Sequence, residues 1–370
     1  MIFGIITHTI HKIKNGQIYA YEPYVRELNL WGEFVDEIIV VAPVVKDEIK
    51  SIEIPYVHPR IKVIEIPNFD ITSFKNVFRS ILVIPKICWS IYHVMKQVTH
   101  IHLRCPGNVG LLGCVVQVFF PSKNKTAKYA GNWDPKSKQP IAYKLQKWIL
   151  SNTLLSKKIK VLVYGEWLKQ TKNIKSFFTA SYHEYEIEEI AKKDLNNTIK
   201  LLFVGVFSIG KQPMLSLNAT HKLLKKGFDV TLDMYGNGSE FEKVQKYIDD
   251  HQLHKSINLH GNQSKEVVKR AFQNSHFLIF ISKSEGWPKV VAESMFWSCL
   301  PISTKVSCVP AMLDYGHRGT LINGNLDEVV EKIESYIDHK KMYAAHVENA
   351  RIWSQQFTLD TFKKGIKELL

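Results

Sequence analysis

Two glutamates that stand eight residues apart, Glu285 and Glu293, could bind a ligand rich in hydroxyl groups. Glu285 follows an apolar strand pattern, Gly286 makes a turn, and Glu293 falls within the helix pattern that comes next. Carboxylates accept hydrogen bonds, and sugar hydroxyl groups are good donors. The free N–H groups at the start of such a helix favour an anion. The segment 284–295 therefore predicts contacts with hydroxyl groups and with a negatively charged group.

The second half of the chain alternates between strand and helix patterns around this segment. Strands are predicted at residues 199–205, 229–235, 257–259, 276–281 and 300–303. The helix patterns between them cover residues 213–226, a stretch that ends near Asp250, residues 265–273 and residues 288–297. Such alternation is typical of a doubly wound parallel sheet.

The first half shows a similar order of patterns. The apolar run 2–7 predicts a strand, and Asn15 and Gly16 follow it. Residues 17–31 predict a helix because their apolar side chains recur three and four positions apart. Residues 37–43 predict a buried strand. Later strands are predicted at residues 98–103, 126–129 and 160–164.

The predicted fold class is α/β, with two Rossmann-like, doubly wound parallel-sheet domains that face a central cleft. Residues 1–177 are predicted to form the first domain and residues 199–354 the second. Residues 178–198, which are polar and partly acidic, are predicted to cross between them. Residues 355–370 predict a C-terminal helix that packs back on the N-terminal domain.

The segment 284–295 (S-E-G-W-P-K-V-V-A-E-S-M) resembles the Glu-x7-Glu signature of glycosyltransferase family 4, whose members have the GT-B fold. Further matches in the second half follow the family's order: Phe203-Val204-Gly205 with Lys211, residues 232–238 (L-D-M-Y-G-N-G), residues 257–261 (I-N-L-H-G), Leu300-Pro301 and Val309-Pro310. In the first half, Asn15-Gly16 resembles the family's first glycine turn. His100-Ile101-His102 resembles an H-x-H motif that ends a strand facing the cleft.

The resemblance implies catalytic roles for three residues. Lys211 would pair with the donor diphosphate and stabilise charge on the leaving group. Glu285 would hold hydroxyl groups of the donor sugar, and His102 would contact that sugar near the reacting carbon.

The resemblance also implies a donor site and an acceptor side. The implied donor-binding residues are Gly16, Gly205, Lys211, Tyr235, Gly236, Glu285, Gly286, Trp287, Pro288, Lys289, Val290 and Glu293. Within that set, Glu293 would accept hydrogen bonds from the ribose, and the backbone of Gly16 would approach the diphosphate. The candidates on the acceptor side are His8, His11 and Arg104.

Several of these residues have simpler interpretations. Lys211 could be an ordinary surface lysine, and His102 could be a core histidine with satisfied hydrogen bonds. Gly236 could serve only as a turn glycine, and Trp287 could serve only in packing. The G-x-G at Gly236 lacks the third glycine of a dinucleotide fingerprint, so the sequence gives little support to an NAD site.

The sequence departs from the family pattern at positions that matter for donor binding. The family's basic residue after F-V-G falls at Val206, which cannot bind phosphate. Lys283, Lys289 or Arg104 could replace it. The family's V-P-E acid falls at Ala311, and Cys299 stands where the family has glycine.

Positive charge is concentrated in one part of the chain. The formal net charge is +14, and residues 75–175 hold 18 Lys and Arg but only two acidic residues, Asp134 and Glu166. Aromatic and aliphatic residues lie beside many of these lysines, as on a helix that lies on an anionic bilayer. The alternatives are amphipathic helices with a solvated basic face, or a nucleic-acid surface, for which no known motif is present.

Several protein classes are not supported by the sequence. No secretory signal and no apolar run long enough for a membrane span are visible. The five cysteines are scattered and contain no CxxC pair, so we expect no zinc site, no disulfide framework and a reducing cytoplasm. We expect the protein to be cytoplasmic and peripheral at the inner face of the membrane.

The resemblance leads to one main functional hypothesis. The chain is expected to be a retaining, metal-independent glycosyltransferase of the bacterial surface-polysaccharide type, without a cofactor and without a D-x-D metal motif. Its donor would be a UDP- or GDP-type sugar, its acceptor a lipid-linked or oligosaccharide glycan, and it would not bind nucleic acid. Two alternatives stay open: a nucleotide-sugar hydrolase or epimerase on the same fold, and a non-catalytic basic membrane-binding module.

Overall fold

The computed structural model describes residues 1–50, 52–67 and 74–370, with the side chains of 74–82 outside the description. The chain divides into two compact units, Met1–Phe177 with Lys363–Leu370, and Phe178–Phe362. Each unit is built on its own parallel β-sheet. In the described part of the chain, no helix is both long enough and apolar enough to cross a bilayer.

The first unit contains a seven-stranded parallel sheet and a small three-stranded antiparallel sheet. Its strands are β1 (Ile2–Ile6), β2 (His11–Lys14), β3 (Gln17–Tyr21), β4 (Glu37–Pro43), β5 (Glu53–Pro55), β6 (Ile61–Ile66), β7 (His100–Cys105), β8 (Asn124–Tyr129), β9 (Ile159–Val163) and β10 (Ile174–Ser176). Its helices are α1 (Glu22–Gly32), α2 (Phe74–Gln97), α3 (Asn108–Val116) and α4 (Ile141–Ser151). The large sheet has the order β10-β9-β8-β7-β1-β4-β6, and the small sheet has the order β2-β3-β5.

The predicted helix over residues 17–31 is wrong in its first part. Gln17–Tyr21 forms β3, which pairs antiparallel with β2, and α1 begins only at Glu22. Asn15 and Gly16 have φ values of 51° and 76°, the left-handed pair that a two-residue hairpin turn requires. Gly16 therefore lies in a hairpin and not at a strand-to-helix turn. The burial in this stretch has the period of two that a strand requires, because Ile18 and Ala20 are buried and Tyr21 is exposed.

Two lysines next to or within β8 cap the C-terminal ends of helices. The ammonium group of Lys123 donates to three carbonyl oxygens at the end of α2, at 2.6–2.7 Å. Lys125 is buried and donates to two carbonyl oxygens that follow α3, at 3.0 and 3.3 Å. The last carbonyls of a helix lack backbone donors and carry partial negative charge. Part of the positive charge of residues 75–175 is therefore internal.

The second unit contains a six-stranded parallel sheet. Its strands are β11 (Ile199–Val204), β12 (Val230–Tyr235), β13 (Ile257–Gly261), β14 (Phe277–Phe280), β15 (Leu300–Thr304) and β16 (Thr320–Ile322). The helices from here to the end of the chain are α5 (Pro213–Lys225), α6 (Phe241–Asp250), α7 (Lys265–Asn274), α8 (Lys289–Phe296), α9 (Val309–Met312), α10 (Leu326–Asp338), α11 (Lys340–Ser354) and α12 (Leu359–Leu369). The strands predicted here are confirmed, and β16 is an addition to them.

The sheet of the second unit reverses its strand order at one point. Its order is β13-β12-β11-β14-β15-β16, so the chain builds outward from β11 in one direction and then from β14 in the other. In open α/β sheets, ligands bind at the carboxyl ends of the strands beside such a reversal. The loops that follow β11 and β14 are therefore the expected place for a ligand in this unit.

The crossover segment 178–198 is fastened to the second unit by Lys193. Its ammonium group donates to the carbonyl oxygens of Phe272, Ser275, Trp297 and Ser298, at 2.7–3.3 Å. These oxygens lie at the C-terminal ends of α7 and α8, where a cation is favoured. Burial lowers the pKa of Lys193 to about 8.

Candidate active site

Lys211 and Glu285 lie on the two loops at the reversal of the strand order, and they form an ion pair. The Lys211 ammonium donates to Glu285 Oε1, and Ser282 Oγ donates to the same oxygen. The ammonium also lies 4.8 Å from the centroid of the Phe280 ring. Both members of the pair retain some exposure to solvent. The structure thus brings together two of the residues that the sequence singled out as catalytic.

Glu293 lies on α8 and is held by the crossover segment. Its Oε1 accepts a hydrogen bond from Ser181 Oγ. The next residue, Tyr182, packs against Trp297 with ring centroids 4.9 Å apart, and burial raises its pKa, with a further contribution from the charge of Glu293. Ser181 was not predicted from the sequence, because a single serine in a polar linker carries no signal.

The predicted glycines at the ends of β11 and β12 are needed for close backbone contact. A Cβ atom on Gly236 would lie 1.9 Å from the carbonyl oxygen of Gly205, and Gly236 has a φ of 127°. The N–H of Gly236 donates to the carbonyl of Gly261 at 2.8 Å. Tyr235, just before Gly236, stacks on His260 with centroids 4.4 Å apart. These contacts bring the loops after three neighbouring strands together.

The start of α8 follows the Glu285 turn directly. Pro288 stands at the N-cap position, and Lys289 and Val290 are half-buried residues of the first turn. Trp287 packs against Trp353 and Phe357, with ring centroids 6.5 and 5.8 Å away. Trp287 therefore has the packing role that its sequence context also allowed.

The position where the family has a basic residue carries an exposed apolar side chain. Val206 is 59% exposed, and Ile209 on the same loop is 66% exposed. Lys283 is exposed, and its backbone N–H donates to the carbonyl of Gly210 at 3.0 Å, which joins the loops after β11 and β14.

His102 lies in the core of the first unit and not at a strand end. β7 continues to Cys105, and the His102 side chain is fully buried between Phe3 and Trp31. Its Nδ1 lies 2.8 Å from Thr126 Oγ1, and burial lowers its pKa to about 3. The prediction that His102 ends a strand and faces a cleft is wrong, and the neutral, enclosed ring offers no surface to a substrate.

His11 is also buried. Its Nδ1 lies 2.8 Å from the carbonyl of Thr9, so Nδ1 carries the proton, and Nε2 lies 2.9 Å from the hydroxyl of Tyr56. Burial lowers the pKa of His11 to about 4. The prediction that His11 lines the acceptor side conflicts with this position, because β2 turns the ring into the core.

Arg104 and His8 lie at the carboxyl ends of β7 and β1. Arg104 Nη1 donates to Glu27 Oε1 at 2.7 Å, and this largely buried pair also lies against the ring of Tyr24. His8 is exposed, and its pKa is lowered by partial burial and by the charge of Arg104. Of the three acceptor-side candidates, only His8 is open to solvent.

Sequence matches to known proteins cover mainly the second unit. Residues 186–353 match the family described as "Glycosyl transferases group 1". The "Uncharacterized glycosyltransferase MJ1178" of Methanocaldococcus jannaschii is 26% identical over 169 residues, which cover 45% of this chain and 46% of that protein. The match therefore spans less than half of the curated relative. Both findings support a transferase enzyme of the glycosyltransferase class.

Solved structures match the whole chain. The lipopolysaccharide outer core galactosyltransferase WaaB has a TM-score of 0.70 at 15% identity, over 100% of this chain and 99% of that chain. Anabaena Alr3699/HepE, in complex with UDP and glucose, has a TM-score of 0.68 at 13% identity, over 99% and 98% of the chains. Sucrose-phosphate synthase from Thermosynechococcus elongatus has a TM-score of 0.67 at 14% identity, over 100% and 98%. At these identities the likeness shows the fold, and the predicted pair of parallel-sheet α/β domains of the GT-B class is confirmed.

Proposed function

We propose that this protein is a retaining, metal-independent glycosyltransferase that moves a sugar from a nucleoside-diphosphate sugar to a growing, lipid-linked glycan of a cell-surface polysaccharide. The observation that carries the proposal is the ion pair between Lys211 and Glu285 beside the reversal of the strand order. The group 1 match over residues 186–353 supports the same class of reaction. The complexes of Alr3699/HepE with UDP and with UDP-glucose support a nucleotide-sugar donor.

In this proposal, Lys211 stabilises the diphosphate as it leaves. A preorganised ammonium aimed at developing negative charge lowers the barrier to such a departure. The free N–H groups at the start of α8 assist, because they also favour an anion. Glu285 accepts hydrogen bonds from the sugar, and Glu293 accepts them from the ribose. Binding of the donor would draw the Lys211 ammonium away from Glu285 towards the phosphate oxygens.

Retention of configuration requires that the acceptor enter from the side on which the diphosphate leaves. The bond between the anomeric carbon and the phosphate oxygen breaks, and a bond to the acceptor oxygen forms. The acceptor proton passes to the departing diphosphate, so no protein base is needed for that transfer. Neither Glu285 nor Glu293 then acts as a nucleophile.

Donor turnover in substituted proteins tests the assignment. We expect Lys211→Ala to lower the rate of donor turnover by about 10²–10³-fold, as loss of a charge-stabilising group does elsewhere. Glu293→Ala should weaken donor binding. Lys225→Ala and Glu331→Ala, at exposed positions, are the matched controls. Rates like those of the wild type in both Lys211→Ala and Glu293→Ala would refute the proposal. Product analysis by NMR with and without a glycan acceptor separates a transferase from a nucleotide-sugar hydrolase or epimerase.

We further propose that one face of the first unit lies on an anionic membrane, at the inner face of the bacterial membrane. Right-handed crossovers place α2, α3 and α4 on one side of the sheet, since each leads to the next strand in the same direction. The exposed apolar side chains on and beside these helices are Trp89, Tyr92, Val115, Phe119, Leu145 and Trp148. Exposed lysines flank them at Lys86, Lys96 and Lys144. Apolar side chains among lysines fit the boundary between lipid head groups and acyl chains.

Flotation with vesicles tests the membrane proposal. We expect the protein to float with phosphatidylglycerol vesicles and not with phosphatidylcholine vesicles, and salt should weaken the association. The double variant Trp89→Ser with Trp148→Ser should float less. Leu168→Ser, which removes an even more exposed apolar side chain elsewhere in the unit, is the control. Absence of flotation at low salt, or equal loss in the control, would refute the membrane surface.

A further inference from the structure

The turn 282–286, which carries Glu285 from β14 to α8, is bonded at its first residue to the end of β15. The N–H of Ser282 donates to Thr304 Oγ1 at 3.0 Å, and the Thr304 hydroxyl donates to the carbonyl of Ser282 at 2.8 Å. The paired residues of β14 and β15 end at Phe280 and Ser303. The buried Thr304 side chain therefore extends the contact between the two strands into the turn.

The last residue of the same turn is bonded to the loop that follows β15. The carbonyl oxygen of Gly286 accepts hydrogen bonds from Ser307 Oγ at 2.9 Å and from Cys308 Sγ at 3.4 Å. Ser307 and Cys308 are both buried, and burial raises the pKa of the Cys308 thiol to about 12, so it stays a donor. Both ends of an otherwise irregular turn are thus fixed by side chains from the end of β15 and from the loop that follows it.

The Glu285 side chain is fixed on one oxygen only. Lys211 and Ser282 both donate to Oε1, and no hydrogen bond from the described residues uses Oε2. A carboxylate has room for further hydrogen bonds on its second oxygen. Oε2 is therefore open to a ligand hydroxyl while Oε1 is held.

We propose that Thr304 and Ser307 are positioning residues, which fix the turn so that Glu285 presents Oε2 to a hydroxyl group of the donor sugar. This inference rests on the proposed function for the identity of the ligand. Groups that are held in place before binding lose little conformational freedom on binding, so their contacts with the ligand raise its affinity. The turn then favours a nucleotide that carries a sugar over the bare nucleotide, which has no hydroxyl to offer to Glu285.

Calorimetric titration with UDP and with UDP-glucose tests the inference. Thr304→Val keeps the shape of the side chain but removes both hydrogen bonds to Ser282, and Thr304→Ser retains them. We expect Thr304→Val and Ser307→Ala to lower the affinity for UDP-glucose by about tenfold, as expected for loss of a hydrogen bond to a charged group. The affinity for UDP should stay within about twofold of the wild-type value. Thr304→Ser should bind both ligands as the wild type does. Equal effects on the two ligands, or no effect, would overturn the inference.

Hydrogen exchange reports on the turn without any ligand. Amides of residues 282–287 should exchange several-fold faster in Thr304→Val than in the wild type, because the turn loses its hydrogen bonds to β15. Thr320→Val is the matched control. Thr320 lies on β16 of the same sheet, and the substitution removes a buried threonine hydroxyl that is bonded to Tyr336 on α10. If the wild type binds neither UDP nor UDP-glucose, a UDP-type donor is ruled out, and the exchange measurement still decides whether Thr304 positions the turn. Unchanged protection of the amides of residues 282–287 in Thr304→Val would overturn the positioning role.

Discussion

The ammonium group of Lys211 is bonded to the carboxylate of Glu285 across the point where the strand order of the second unit reverses. One residue follows β11 and the other follows β14, so strand order brings together side chains that are 74 positions apart. The pair keeps a cation and an acceptor next to each other without a ligand. The two residues can then be tested separately, Lys211 for binding of the donor phosphates and Glu285 for binding of the donor sugar.

Removal of the charge of Glu285 should affect nucleotide affinity and turnover in opposite directions. Glu285→Gln keeps the shape of the side chain but frees Lys211 from its counter-charge. We expect UDP to bind at least as tightly as to the wild type, and sugar transfer to fall by about 10²-fold because the acceptor for the sugar hydroxyl is weakened. Calorimetry and a turnover assay measure the two effects, with Glu331→Gln as the control. Weaker UDP binding with normal turnover would contradict this division of roles.

A basic residue at position 206 should strengthen the binding of a nucleoside diphosphate. Val206 is exposed on the loop that carries Lys211, at the position where the family has a basic residue. We expect Val206→Arg to improve UDP affinity by about tenfold, since one charge-assisted hydrogen bond contributes about 1.5 kcal/mol or more. Val267→Arg, at an exposed valine on α7, controls for the added charge. Equal gains in both variants would mean that the effect is not local.

Loss of the Lys193 ammonium should destabilise the second unit. Lys193→Met leaves four carbonyl oxygens at the ends of α7 and α8 without this donor. We expect the free energy of unfolding to fall by about 2–3 kcal/mol, in the range for unsatisfied buried acceptors. Urea denaturation measures the change, and Lys192→Met, at the exposed neighbouring residue, is the control. A loss no larger than that of the control would show that water replaces the ammonium at little cost.

The buried histidines of the first unit should make it sensitive to acid. Burial holds the pKa values of His11 and His100 near 4 and that of His102 near 3. The unfolded chain binds protons on these rings below its pKa of about 6.5, whereas the folded unit does not. Stability is therefore complete above about pH 7 and falls as the pH drops, by up to about 1.4 kcal/mol per pH unit for each ring.

Urea titrations at about pH 7 and about pH 5 measure this loss. His11→Gln should reduce the difference between the two conditions, because one of the titrating rings is gone. His254→Gln, at an exposed histidine of the second unit, should leave the difference as in the wild type. A stability that does not change between the two pH values would contradict the buried, neutral state of these rings.

The second unit could be predicted closely because its signals are local. Each strand is a short apolar run between turn residues, and the E-G turn with its following helix is contiguous in sequence. Lys211 and Glu285 each lie on the loop that follows such a strand, so the parallel sheet brings both loops to one edge. Thr304 and Ser307 could not be predicted, because their role depends on hydrogen bonds to a loop more than 20 positions away.

The first unit was harder to predict because its outcome depends on pairing and burial. Residues 17–21 fit a helical period, but they pair with β2. Asn15-Gly16 resembles the family's first glycine turn in sequence, yet the same dipeptide is a hairpin signal. His102 has the sequence context of a strand end, yet β7 continues to Cys105 and encloses it. Lys123 and Lys125 look like surface charge in the sequence, but they close helix ends in the structure.

The most direct test of the central claim is calorimetric titration of the wild type and of Lys211→Met with UDP-, GDP-, ADP- and TDP-sugars. We predict that the wild type binds at least one of these donors and that Lys211→Met binds the same donor at least about tenfold more weakly, since the variant lacks the cation for the diphosphate. Lys225→Met should bind as the wild type does. Absence of binding to every donor, or equal affinity in Lys211→Met, would contradict the account.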